Sequence, residues 1–184
     1  MRNLPLFALL ISLLAGGCAS VPSAPSATAV AAIEDVAPSR VHLAPPGWAG
    51  SYHNFAYTPV LRVGDRVIVS GIPAAVGTTY EERIDWMYRQ LQAHLEVAGA
   101  SLADVVELSS FHTEPKTTEQ FRREFARYLP IHRKYFPDHF PAWSAVGSTA
   151  LLAEGAPVEL RAVAIIGSGR APKSEIEPAA ESAQ

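Results

Sequence analysis

One carboxylate stands out by its neighbours. In Pro157-Val-Glu-Leu-Arg-Ala-Val-Ala-Ile-Ile, Glu159 sits between Val158 and Leu160 in a run that reads as a pleated strand. An acidic side chain is seldom fully buried without a partner, and desolvation raises the pKa of one that is. Such a group exchanges protons with water or with a leaving group, which makes Glu159 a candidate acid/base residue. Arg161 follows two residues later, so on a strand the two side chains share a face. Arg161 either binds an anion beside Glu159 or pairs with Glu159 or another acid. The second is the ordinary outcome, and a Glu159–Arg161 pair would lower the pKa of Glu159.

Other chemistries find less support. No His–Asp relay stands at a recognisable spacing, so Ser70 reads as a hydroxyl satisfied by nearby backbone and not as a nucleophile. The six histidines, His42, His53, His94, His112, His132 and His139, show no metal-ligand spacing and read as surface or packing residues. No cofactor motif is present, and neither a metal nor a cofactor is expected. Arg122, Arg123, Arg127, Arg133 and Lys134 form a basic run interleaved with Glu119 and Glu124, the pattern of a solvated helix face. With a formal net charge of −3 and a pI near 6.1, the chain does not look like a nucleic-acid binder.

The elements that position these residues follow from periodicity. Ser51 to Pro59 and Asp65 to Ser70 read as strands joined by a turn at Val63-Gly64-Asp65, with Val67, Ile68 and Val69 suited to a pleated surface. Thr78 and Thr79, each with a glutamate three residues on, offer overlapping capping boxes for a helix. Its apolar face is Ile84, Met87, Leu91, Leu95 and Ala98, and Gly99 ends it. Asp104 to Thr113 reads as the third strand. Thr117 and Thr118 cap a second helix with Phe121, Phe125 and Leu129 on one side, which Pro130 should kink or restart. Phe140 to Gly147 and Pro157 to Ile166 supply the last two strands. The order β-β-α-β-α-β-β predicts an α+β domain with a mixed sheet and both helices on one sheet face. The other face carries apolar and small residues and should be covered by another subunit.

The chain ends point to location. After Met1-Arg-Asn, the apolar run Leu4 to Ala15 is shorter than the ~20 residues that span a bilayer, and it reads as a secretory signal over residues 1–17. Ala15-Gly16-Gly17-Cys18 resembles the bacterial lipoprotein box, in which the thiol is acylated; Cys18 is the single cysteine. Residues 18–46, rich in Ala, Pro and Ser, read as a disordered tether. Residues 167–184 read as a disordered tail, leaving 47–166 for one folded domain. The expected address is the bacterial cell envelope on its periplasmic side, at the outer membrane, with the lipid as anchor.

Leu61-Arg-Val-Gly-Asp-Arg-Val-Ile-Val-Ser-Gly, Ala98-Gly-Ala-Ser-Leu-Ala-Asp-Val-Val-Glu, Phe140-Pro-Ala-Trp-Ser-Ala-Val and Val158-Glu-Leu-Arg-Ala-Val-Ala follow one another in a familiar order and spacing. From near Tyr57 to Ile166 the chain resembles the RidA/YjgF family of reactive-intermediate (enamine/imine) deaminases. The resemblance implies a chorismate-mutase-like fold and a homotrimer whose three sheets line a barrel, with a small-molecule pocket at each subunit interface. In those deaminases an arginine directly after Pro-Ala grips the carboxylate of a 2-imino acid. A glutamate on the last strand works with a water at the imine carbon, and a serine before glycine and an upstream tyrosine line the pocket. Glu159, Ser70 and Tyr57 match these last three positions.

The arginine does not carry over. Trp143 stands in its place, and an indole offers one donor and no charge where a guanidinium grips both carboxylate oxygens. The family asparagine on the second helix is replaced as well, with Leu129 or Pro130 nearest its position. Carboxylate-bearing imines are therefore the wrong ligand, while hydrolysis of a neutral imine or enamine through Glu159 stays open. Trp143 is either a stacking floor for an apolar or aromatic ligand or part of the barrel core. Two functions follow: an imine/enamine hydrolase of altered specificity, or a non-catalytic trimer that binds a small molecule between subunits.

Overall fold

The computed structural model describes residues 39–172, 174 and 176. The expected signal peptide, Cys18 and most of the expected tether lie outside the described residues. The elements run β1 (Arg40–Leu43), α1 (Ala49–Phe55), β2 (Val60–Val63), β3 (Arg66–Pro73), α2 (Tyr80–Val97), β4 (Val105–His112), α3 (Thr118–Tyr135), β5 (Ala142–Gly147) and β6 (Val158–Ile165). The strands form one mixed sheet in the order β1-β2-β3-β6-β4-β5, antiparallel except for the parallel pair β4–β5. The α+β class holds. The strand order sets β6, and with it Glu159, in the middle of the sheet, and leaves β5 at an edge.

α2 forms where its caps and apolar spacing place it. Thr79 accepts from the Glu82 amide and Glu82 reaches back to the Thr79 amide, a complete capping box that satisfies helix-end donors reciprocally. Ile84, Met87, Leu91 and Leu95 are fully buried against Val67, Val69 and Ile72 of β3 and Leu160 and Ala162 of β6. Gly99 follows with φ +77°, a left-handed turn out of the helix that favours glycine. α3 starts behind Thr117, whose side chain accepts from the Gln120 amide. Its outer cations tie it to α2 and to its own first turn: Arg127 to Glu81 at 2.8 Å, Lys134 to Asp85 at 2.6 Å, and Arg123 to Glu119.

The structure departs from the sequence reading at four places. Ser51 to Pro59 is not a strand: it holds α1 and a loop, and the first hairpin is β2–β3 around Gly64. Trp48 explains this, since its indole donates to Gln90 at 3.0 Å and packs edge-on against His94, anchoring the start of α1 on α2. Residues 40–43, expected in the tether, form β1 beside β2. Past Gly167, expected as tail, the chain makes a short 3-10 turn at Ser168–Arg170. The Asp104 carboxylate holds it by accepting the amides of Gly167 and Gly169 at 2.9 and 3.0 Å. Finally, α3 runs unbroken through Pro130. Pro130 and Ala126, whose carbonyl loses its amide partner there, both face outward, where water can replace the missing bond.

Candidate functional site

Strand register decides which side chains can meet. Phe111 of β4 pairs with both Glu159 of β6 and Val146 of β5, so these three point to the face of the sheet opposite α2 and α3. Arg161 and its partner Ser109 lie on the same side. Trp143 pairs with the fully buried Leu108 and points the other way, into the helix layer. The sheet of a single chain therefore brings Glu159 and Arg161 together but sets Trp143 on its opposite face.

Glu159 is half-buried, and desolvation pushes its carboxyl above the ordinary glutamate range. Room for it is made by β3, which bulges between Val69 and Ile72. The bulge presents Gly71 directly beneath the carboxylate: a methyl group on Gly71 would overlap Oε1 and stand 2.5 Å from Cδ. Ser70, the preceding bulge residue, donates its hydroxyl to the Thr58 carbonyl at 2.7 Å and its amide to the Pro59 carbonyl at 2.9 Å. Those bonds fasten the bulge to the loop that carries Tyr57. Tyr57 is half-buried, and its amide donates to the Ser51 carbonyl at 3.2 Å just after Ala56 turns left-handed at φ 56°. Phe111, within the strand expected from Asp104 to Thr113, forms an apolar neighbour directly across from Glu159.

Arg161 pairs with Glu107 at 3.2 Å. The acid it takes is therefore on β4, and Glu159 is not drawn down by a guanidinium. Burial alone sets the direction of the Glu159 shift.

Trp143 sits in an aromatic cluster on α3. Its ring stacks on His132 at 4.5 Å and 26°, with Phe125 at 5.0 Å and Tyr128 at 5.4 Å beside it. Burial, with Arg133 and His139 nearby, pushes the His132 pKa down to about 4, so that imidazole is neutral at neutral pH. Behind the indole lies an arrangement the sequence did not reveal: Ser110, His112 and Glu124 are linked at 2.9 and 2.8 Å in the order of a serine-hydrolase relay. Ser110 and His112 are fully buried, and the Ser110 oxygen already accepts the Trp143 indole N–H at 2.9 Å. A nucleophile needs an approach path, so this triad performs no acyl transfer. The spacing was unreadable because the acid comes from α3 and is a glutamate. Of the histidines, His94, His112 and His132 prove to be interior residues.

Comparison with known proteins completes the picture. A family model described as Endoribonuclease L-PSP matches residues 52–166. The RutC family protein YjgH of Escherichia coli (strain K12) is 28% identical over 133 residues, 69% of this chain and 95% of that protein. Among solved structures, a Mycobacterium tuberculosis member of the YjgF/YER057c/UK114 family is similar with a TM-score of 0.60 and 27% identity, over 70% of this chain and 100% of that one. A Thermotoga maritima protein described as a putative endoribonuclease is 31% identical with a TM-score of 0.53, over 59% of this chain and 85% of that one.

Proposed function

The chain belongs to the RidA/YjgF family, and from that premise we propose that it is an enamine/imine deaminase-type hydrolase of altered specificity, working as a homotrimer at the bacterial cell envelope. The observation that carries this is Glu159: a carboxyl raised by burial, seated over Gly71, beside Ser70 and Phe111 on the face the helices leave open. A carboxylate so placed takes a proton from water as the oxygen adds to an imine carbon, and returns it to the departing nitrogen. The sum is an imine plus water giving a carbonyl compound plus ammonia.

The open sheet face favours a site between subunits. It carries Leu61, Ile68, Phe111 and Val146, and among the described residues β5 leaves one edge without a strand partner. Both features call for a cover. Because Trp143 and Glu159 leave opposite faces of one sheet, a pocket lined by both is built from two subunits. Trp143 offers such a pocket an aromatic wall and no cation, which disfavours substrates with a carboxylate and favours neutral ones.

The aromatic cluster around Trp143 also favours a second reading, a trimer that holds an apolar or aromatic small molecule without turning it over. One experiment separates them: assay of the purified protein on a panel of imines and enamines, charged and neutral, with Glu159→Ala as control. Turnover of a neutral imine that Glu159→Ala abolishes supports the hydrolase; binding without turnover in both proteins supports the second reading. For the address, fatty-acid labelling should mark the wild type and miss Cys18→Ser, and equal labelling would refute lipidation.

A further inference from the structure

Five side chains between the sheet and the helices are joined end to end. The Trp143 indole N–H donates to Ser110 Oγ at 2.9 Å, Ser110 meets His112 Nε2 at 2.9 Å, and His112 Nδ1 meets Glu124 Oε1 at 2.8 Å. Tyr80 also donates its hydroxyl to that carboxylate oxygen, at 2.9 Å. An indole N–H only donates, so Ser110 Oγ accepts from Trp143; in the tautomer in which His112 donates from Nδ1 to Glu124, Nε2 is the acceptor for the Ser110 hydroxyl. In that tautomer Ser110 receives from Trp143 and gives to His112, and the chain has one direction. Ser110 and His112 are 0% exposed and Glu124 is 7% exposed, so the Ser110–His112–Glu124 links are shielded from water.

We propose that Ser110, oriented by His112 and Glu124, is a positioning residue that locks the Trp143 indole as a rigid wall for a flat, uncharged ligand. The proposal rests on the reading of Trp143 as a pocket residue. Stacking on His132 fixes the plane of the indole, and the bond to Ser110 fixes its rotation within that plane. A tryptophan that served packing alone needs one acceptor for its N–H, which a backbone carbonyl supplies. Here the acceptor is the end of a chain that buries a carboxylate, and Glu124 Oε2 finds no partner among the described residues. Burying that group costs free energy that packing does not require. A wall fixed before the ligand arrives recovers some of it as affinity, because no rotamer freedom is lost on binding.

The test uses the full chain, solubilised in detergent and labelled with 5-fluorotryptophan, whose Trp48, Trp86 and Trp143 give separate fluorine resonances. Trp143→Phe assigns the third. Ser110→Ala should shift and broaden the Trp143 resonance and leave the other two in place, while Ser110→Thr, which keeps a hydroxyl, should retain one sharp line. His112→Gln, which fills the space without the same acceptor geometry, should give an intermediate spectrum and serves if Ser110→Ala fails to fold. With indole as probe, Ser110→Ala should bind about tenfold more weakly than wild type, and Ser110→Thr within about twofold of it. An unchanged, sharp Trp143 resonance in Ser110→Ala and His112→Gln overturns the lock. A disturbed ring with unchanged indole affinity overturns its role in ligand positioning. Wild-type protein that binds no flat neutral probe overturns instead the pocket reading of Trp143, and the fluorine spectra still decide the lock.

Discussion

The carboxylate of Glu159 lies directly over the α-carbon of Gly71, and no other residue type leaves that space empty. The two are brought together by the bulge that sets Pro73 opposite Glu159. The three atoms nearest to such a methyl group belong to the Glu159 side chain, Oε1, Cδ and Cγ. Gly71→Ala should therefore expel the carboxylate while the strand keeps its path. The expected outcome is at least a tenfold loss of kcat/KM on a turned-over imine, about 1.4 kcal/mol of transition-state stabilisation, with little change in Tm. Full activity with alanine at 71 would show that the carboxylate works from another position.

A second expectation concerns pH. Burial raises the folded-state pKa of Glu159, so the folded protein holds that proton more tightly than the unfolded chain does. Its stabilising contribution is complete below the ordinary glutamate pKa and is lost as pH rises through the raised value. Measured by denaturant unfolding across that window, wild type should lose stability relative to Glu159→Gln, which has no proton to release. Activity should move the opposite way, because a base must be deprotonated. The acidic limb of the pH–rate profile should lie above the ordinary carboxylate range and be absent from the residual rate of Glu159→Gln.

Assembly is tested at Val146, which is 46% exposed and shares the open face with Phe111 and Glu159. A carboxylate at the centre of an apolar interface lacks both water and a partner. Val146→Asp should convert a species near three times the monomer mass into a monomer in light scattering, with the helical circular dichroism unchanged. A wild type that is monomeric at micromolar concentration would refute the trimer and, with it, any pocket built from two subunits.

The α+β class, α2 with its capping box, β4 and the placement of Glu159 on a pleated strand were legible because each rests on local signals: period, cap and β-branching. The same local logic misread Ser51 to Pro59. There, Trp48 reaching Gln90 and His94 on a distant helix decides the conformation, and α1 itself buries only Ser51. β1 was hidden because four residues carry little periodic signal and gain their pairing only from β2. Within the site, the shared face of Glu159 and Arg161 followed from alternation, but the choice of Glu107 as the arginine's partner did not, since the β4–β6 register is non-local. The bulge that puts Gly71 under Glu159 was equally invisible. Trp143 was legible as a substitution in a motif, yet its orientation away from Glu159 depends on the parallel pairing of β5 with β4.

The last expectation bears on that substitution. Without a charge-assisted, bidentate partner at position 143, binding of an imino-acid carboxylate in the transition state should be weaker by about 2–4 kcal/mol, or roughly 30- to 1000-fold in rate. The protein should accordingly hydrolyse 2-iminopropionate far more slowly than an arginine-bearing relative, and Trp143→Arg should recover part of the difference. The surroundings of Trp143 bear on both the tolerance of the variant and the extent of its recovery. A guanidinium at 143 finds the Ser110 oxygen as an acceptor and faces a neutral His132, with Arg133 the like charge near that imidazole. It forfeits the ring contacts with His132, Phe125 and Tyr128, which should lower stability by about 1–3 kcal/mol. It also gains no help from position 129 or 130, where leucine and proline offer no side-chain acceptor. The measurement is kcat/KM on 2-iminopropionate for both proteins, with Tm alongside to separate chemistry from unfolding. If wild type already matches an arginine-bearing relative, another cation grips the carboxylate. Arg161 would then have to leave Glu107 to do so, and Arg161→Gln should abolish the rate.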